Sequence, residues 1–113
     1  MSTSYDEELA HRIRELLDGE SGVSEMAMFG GLAFLLHGNM AVAASGQGGL
    51  LVRADPQAGD RLLAKPHARA MEMRGRAMTG WIRVADEGIK TKRQLAAWVR
   101  EGVTYAATLP PKG

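Results

Sequence analysis

The chain has 113 residues, 14 Lys+Arg against 13 Asp+Glu, and no cysteine. That length suits one domain, residues 1–113, around one hydrophobic core. Its 45% hydrophobic and 24% charged residues describe an ordinary globular protein, not a disordered or fibrous one. Lack of cysteine excludes a disulfide scaffold, a thiolate nucleophile and any Cys-based zinc or iron–sulfur site.

The first segment, MSTSYDEELAHRIREL, carries acids where a signal peptide needs a basic start and an apolar run, so a reducing, cytoplasmic setting is expected. Ser4 followed by Glu7 reads as a capping box, and Leu9, Ile13, Leu16 and Leu17 share one face of the helix that follows, which Gly19 or Gly22 should end. Next comes a stretch, residues 26–52, with no Asp, Glu, Lys or Arg. It exceeds the ~20 apolar residues that span a bilayer, but six glycines and His37, Asn39, Ser45 and Gln47 interrupt it, so no membrane span is expected. Gly38-Asn39 reads as a two-residue hairpin turn and Gly46 to Gly49 as a second, giving a three-stranded antiparallel meander. Gly30-Gly31 within the first strand would mark a bulge or a close backbone approach.

Asp55-Pro56 is an N-cap followed by proline at the first helical position, opening a short helix with Leu62 and Leu63 that Lys65-Pro66 stops. Ala70, Met71 and Met73, then Met78, Trp81, Ile82 and Val84, separated by Gly75 and Gly80, predict two more strands with Asp86-Glu87-Gly88 as the exit turn. Thr91 with Gln94 forms another capping box, and Leu95, Trp98, Val99, Val103 and Ala106 line a helix that Leu109-Pro110-Pro111 ends. The order is α-βββ-α-ββ-α: an α+β domain on an antiparallel sheet of about five strands, not a dinucleotide-binding α/β fold. A sheet covered by helices on one side can leave its other face or an edge free, and a homodimer would cover it. The seven methionines suit an adaptable interface as well as a core.

No catalytic, cofactor or metal site is legible. His11, His37 and His67 lack metal-ligand spacing: His11 reads as solvated between acids, His37 as a turn residue, and His67 as a loop residue able to contact phosphate. Neither Gly30-Gly31 nor Gly46-Gln47-Gly48-Gly49 leads into the Lys-Ser/Thr of a phosphate loop or fits G-x-G-x-x-G. No G-x-S-x-G frames a serine nucleophile.

Charge is distributed unevenly beneath a net of +1: residues 1–25 carry −5 and residues 53–113 carry +6. Lys65, Arg69, Arg74 and Arg76 form one basic group, and Lys90, Lys92 and Arg93 a second at the start of the last helix. Cations there oppose the helix macrodipole by ~0.3–1 kcal/mol each, which favours an anionic partner. These seven residues are the candidates for anion or weak nucleic-acid contact, although a net of +1 falls short of the strongly basic balance of an independent nucleic-acid-binding domain.

Met28-Phe29-Gly30-Gly31 followed by a hairpin and LLVRAD, then Met78-Thr79-Gly80-Trp81-Ile82-Arg83-Val84, the late helix with Trp98 and the ending Ala107-Thr108-Leu109-Pro110 together resemble the N-terminal domain of the TfoX/Sxy family. The resemblance runs roughly from Tyr5 to Pro111. It implies an α+β fold and a non-catalytic regulatory role, since the family's named members are regulators of natural competence thought to work with the catabolite activator protein at promoters. Those regulators add a helical C-terminal domain, whereas this sequence stops at Gly113, so a stand-alone domain is expected. The residues carried over are Met28, Phe29, Gly30, Gly31 and Trp81, read as structural, with Phe29 and Trp81 in the core. The expected partner is a protein, such as a DNA-bound transcription factor; direct nucleic-acid binding through the basic second half is the alternative.

Overall fold

A computed structural model describes residues 5–28 and 30–112. The N-terminal helix α1 (Glu7–Leu17) leads into four strands, β1 (Val23–Met28), β2 (Gly31–Leu36), β3 (Asn39–Ala44) and β4 (Leu50–Arg53). A 3-10 turn (Pro56–Ala58) and the short α2 (Gly59–Leu63) precede β5 (Ala68–Met73) and β6 (Arg76–Val84), and a second 3-10 turn (Asp86–Gly88) leads to α3 (Lys92–Thr108). The strands form one antiparallel sheet in the order β1-β2-β3-β4-β6-β5. The expected class and element order hold, but with six strands instead of five.

The extra strand comes from the run MAMFGGLAFLL, which is two strands and not one. Met28 pairs directly with Gly31, and Gly30, at φ 77°, lies in the reversal between them. Only glycine adopts that conformation readily. Close backbone approach is real at Gly31, where a Cβ would overlap the Ala44 carbonyl oxygen, whereas the irregularity of this sheet region falls between Phe34 and Leu35. The next turn shifts by one residue from expectation: His37 (φ 50°) and Gly38 (φ 85°) make it, and Asn39 opens β3. Asn39 is buried and its side-chain amide donates to the Pro110 carbonyl at 2.9 Å, while the Lys112 N–H donates to the His37 carbonyl at 2.8 Å. The C-terminal tail is thereby clipped to the β2–β3 turn.

Helix ends follow the side chains available to satisfy free N–H groups. The Thr91–Gln94 box is formed in both directions at 3.0 Å, and Asp55 caps the 3-10 turn ahead of Pro56. For α1 the cap is Asp6, whose carboxylate accepts from the N–H groups of Glu8 and Leu9. The expected Ser4 cap lies outside the described residues. An ionised cap also complements the helix dipole, which a serine hydroxyl does not.

The main core lies between one sheet face and the helices. Leu32, Phe34, Val42, Ala44, Leu50, Val52, Ile82 and Val84 point into it, met by Leu9 and Ile13 of α1, Leu62 of α2 and Leu95, Trp98 and Val99 of α3. Helix α3 sits close to β3 because Gly102 has no side chain: a Cβ there would overlap the Ala41 carbonyl oxygen. Arg12 fastens α1 to the start of α3, donating to the carbonyls of Ile89 (2.8 Å) and Lys90 (3.2 Å). Among the described residues, no helix is long and apolar enough to cross a membrane.

Candidate interaction surface

Partners across an antiparallel pair project from the same face. Met26 pairs with Ala33, Met28 with Gly31 and Met40 with Leu35, and Ala33 and Leu35 belong to the face opposite the helices. There Ala33, Leu35 and Ala43 form a separate small cluster, flanked by Met28, Met40 and Leu51. The small alanines make a shallow floor. Met28, Met40, Leu51, Met71, Met78 and Trp81 stand around it, enclosing an open concavity of about 420 Å³. Met73 also lines it, and Met26 pairs with Ala33 on the same face; at 43% and 50% relative exposure these two methionines are left open by the described residues. All six described methionines are therefore on the helix-free side.

Two features give this surface polarity. Arg53 lies 4.8 Å from the Trp81 ring centroid and 5.7 Å from that of Tyr105, within the range of cation–π attraction. Arg83, half-buried, donates to the Ser45 hydroxyl at 3.2 Å and lines the concavity with Glu72; these two are its titratable residues among those described. Arg83 and Gln47 also line a neighbouring hollow of about 320 Å³ with Gly48, His67 and Arg69.

The structure separates the basic residues singled out in the sequence. Arg69 lies on the open face directly across from Arg83. Arg74 (φ 55°) and Gly75 (φ 77°) make the β5–β6 turn, with Arg76 following. Lys65 sits over the buried Trp98, its Nζ 4.6 Å from the ring centroid. Lys90 faces Asp6, Glu8 and Asp86 around a hollow at the start of α1, with Lys92 and Arg93 opening α3 beside it. Thus Lys65 and the Lys90–Arg93 group belong to the helical side, and Arg69 to the open side. His11 pairs with Glu15 at an exposed 3.7 Å, His37 is a turn residue, and His67 (φ 67°) borders the Arg69–Arg83 hollow. No group of three His, Asp or Glu that could hold a metal occurs among the described residues.

One exposed pair is joined by two hydrogen bonds. Arg14 donates twice to Glu25, at 2.7 and 2.8 Å, and these hydrogen bonds hold the Glu25 carboxyl below the ordinary carboxylate range. It ties α1 to β1, away from the concavity.

The chain matches the TfoX N-terminal domain over residues 15–106. It belongs to the TfoX N-terminal domain family. No curated protein and no solved structure was found to match it. Of the residues that carry the likeness to TfoX, Phe29 lies outside the described residues, and Gly30 serves the β1–β2 reversal. Met28, Gly31 and Trp81 all line the one concavity. Trp81 is half-buried there and not in the helix–sheet core where its strand position had placed it. The sequence also left Met40, Leu51, Arg53 and Arg83 unremarked as site residues. Met40 was signalled only by the number of methionines, and Leu51, Arg53 and Arg83 only as members of the runs LLVRAD and MTGWIRV.

Proposed function

We propose that this TfoX-type domain is a non-catalytic regulatory and interaction module of the cytoplasm, which docks a protein partner on the helix-free face of its sheet. The observation that carries the reading is the placement of all six described methionines on that face, around a floor of small residues. Methionine is unbranched and polarisable, so a methionine surface adapts to varied apolar side chains without a fixed mould. The walls of this concavity are mostly thioethers, alanines and an indole, with Ser45, Gln47, Glu72 and Arg83 along its lining, a composition suited to seating apolar side chains beside a polar contact. By resemblance to the competence and transcription regulators of the family, a DNA-bound transcription factor is the class of partner to seek.

The test is affinity capture from the native host with three baits: the wild-type domain, Met40→Glu combined with Met78→Glu, and Lys92→Glu combined with Arg93→Glu on the helical side. A partner held by the wild type and the helical-side variant, and lost by the methionine variant, supports the reading. Equal recovery on all three baits overturns it. So does DNA binding that falls steeply with salt and depends on Lys92 and Arg93, which would place the activity in counterion release from phosphates.

A further inference from the structure

Arg69 and Arg83 stand directly opposite each other on β5 and β6, on the open face. Like charges in that position are destabilising, and a folded sheet retains them at a cost that an anion between them would relieve. Neither forms an ion pair among the described residues: the pairs present are His11–Glu15, Arg14–Glu25 and Arg61–Glu101, all elsewhere. Arg83 is held in place by the Ser45 hydroxyl, itself fixed by the 45–49 turn, where it accepts from the Gln47 N–H. The hollow between the two arginines adjoins the methionine concavity, with Arg83 and Gln47 lining both. A charged subsite thus adjoins an apolar one on a single surface.

We propose that this surface takes an acidic amphipathic segment of a protein partner, with a carboxylate side chain clamped between Arg69 and Arg83 and apolar side chains seated among Met28, Met40, Met71 and Met78. This rests on the reading of the open face as the docking surface and names the chemistry of what docks there. From β1 to β5 the sheet spans about 24 Å at the usual strand spacing, the length of a helical segment of about 16 residues. Charge complementarity decides against a second copy. A symmetric contact brings this face against itself, setting two Arg69–Arg83 pairs into one interface with Glu72 as the acid each face contributes to the concavity. A free fatty anion is disfavoured by the openness of the concavity, since small-molecule sites enclose about 70–90% of the ligand's surface.

The experiment uses the whole chain labelled at the methionine methyl groups, whose resonances report on each side of the concavity. The probes are a synthetic amphipathic helix of about 16 residues with leucines on one face and glutamates on the other, its lysine counterpart, and myristate. The acidic peptide should shift the methyls of Met28, Met40, Met71 and Met78, and Arg69→Gln with Arg83→Gln should weaken its binding about tenfold or more, as loss of charge-assisted hydrogen bonds does. The lysine peptide should bind more weakly by a similar factor. If both peptides shift the methyls equally and the arginine changes are without effect, the clamp is wrong while the docking face stands. If neither peptide shifts any methyl, the clamp and the docking face fall together. Shifts produced by myristate and not by the acidic peptide, or by raising the protein concentration alone, overturn the proposal in favour of a lipid anion or a second copy. The variants' unchanged methyl spectra without peptide exclude misfolding as the cause.

Discussion

The two faces of this one sheet are built from alternate residues of the same strands, yet they are made of different material. The helix-covered face carries Leu32, Phe34, Val42, Leu50, Val52, Ile82 and Val84, which interlock with α1 and α3. Most of these side chains have few rotamers, so their packing fixes a single arrangement. The open face carries alanines at its centre and methionines around them. Three rotatable bonds per methionine leave that surface apolar but not committed to one shape. The comparison teaches that the fold is specified from one side of the sheet, which leaves the other side available for recognition.

The largest way to break this contrast is at the helix face. Trp98→Ala should lower unfolding free energy by about 4 kcal/mol, read from the urea midpoint, since it empties a buried aromatic site and also removes the seat of Lys65. Gly102→Ala comes next: the new methyl meets the Ala41 carbonyl and should cost about 1–3 kcal/mol as overpacking does. Asn39→Ala removes the donor to Pro110 and should cost about 1–2 kcal/mol, with faster hydrogen exchange at the Lys112 amide as the specific sign. Met71→Leu on the open face should cost less than about 1.5 kcal/mol, and a loss as large as that of Trp98→Ala would erase the distinction between faces.

The smallest effect is electrostatic. Glu25 is held below its ordinary carboxylate range by Arg14, so the pair's contribution is present above the unfolded carboxyl's pKa. It is lost as pH falls through the lowered folded value. Glu25→Gln should therefore flatten the acid limb of the stability curve and lower the melting temperature at neutral pH by about 2 °C or less, the scale of a solvent-screened pair.

Capping was legible in part: the cap of α1 is Asp6 and not Ser4, and Asp55 caps the 3-10 turn while α2 itself, with Ala58 at its N-cap, has no side-chain cap. Asp55-Pro56, Thr91 with Gln94 and the closing Leu109-Pro110 act through neighbours in the chain, and each does what its chemistry dictates. The β5 and β6 strands were legible through Gly75, which lies in the turn between them, whereas Gly80, read as a second separator, lies inside β6. The β1–β2 reversal was not. In a run that is apolar on both sides, a chain reversal has no polar residue to announce it, and only Gly30 at positive φ betrays it. The open face was hidden by the same property. Strands β2 and β3 are buried nearly throughout, so apolar and polar residues do not alternate to show which side the helices cover. Trp81 illustrates the consequence: a large aromatic at a strand position signals burial, but not on which face. Arg69 and Arg83 are distant in sequence and meet only through the β5–β6 register.

The clip between the tail and the β2–β3 turn has a mechanical meaning. Tension applied at residue 112 does not reach α3 first, because the Lys112 and Asn39 hydrogen bonds pass it to the end of the central hairpin. A pull on the carboxyl-terminal tail therefore meets these two hydrogen bonds to the β2–β3 turn on its way to α3.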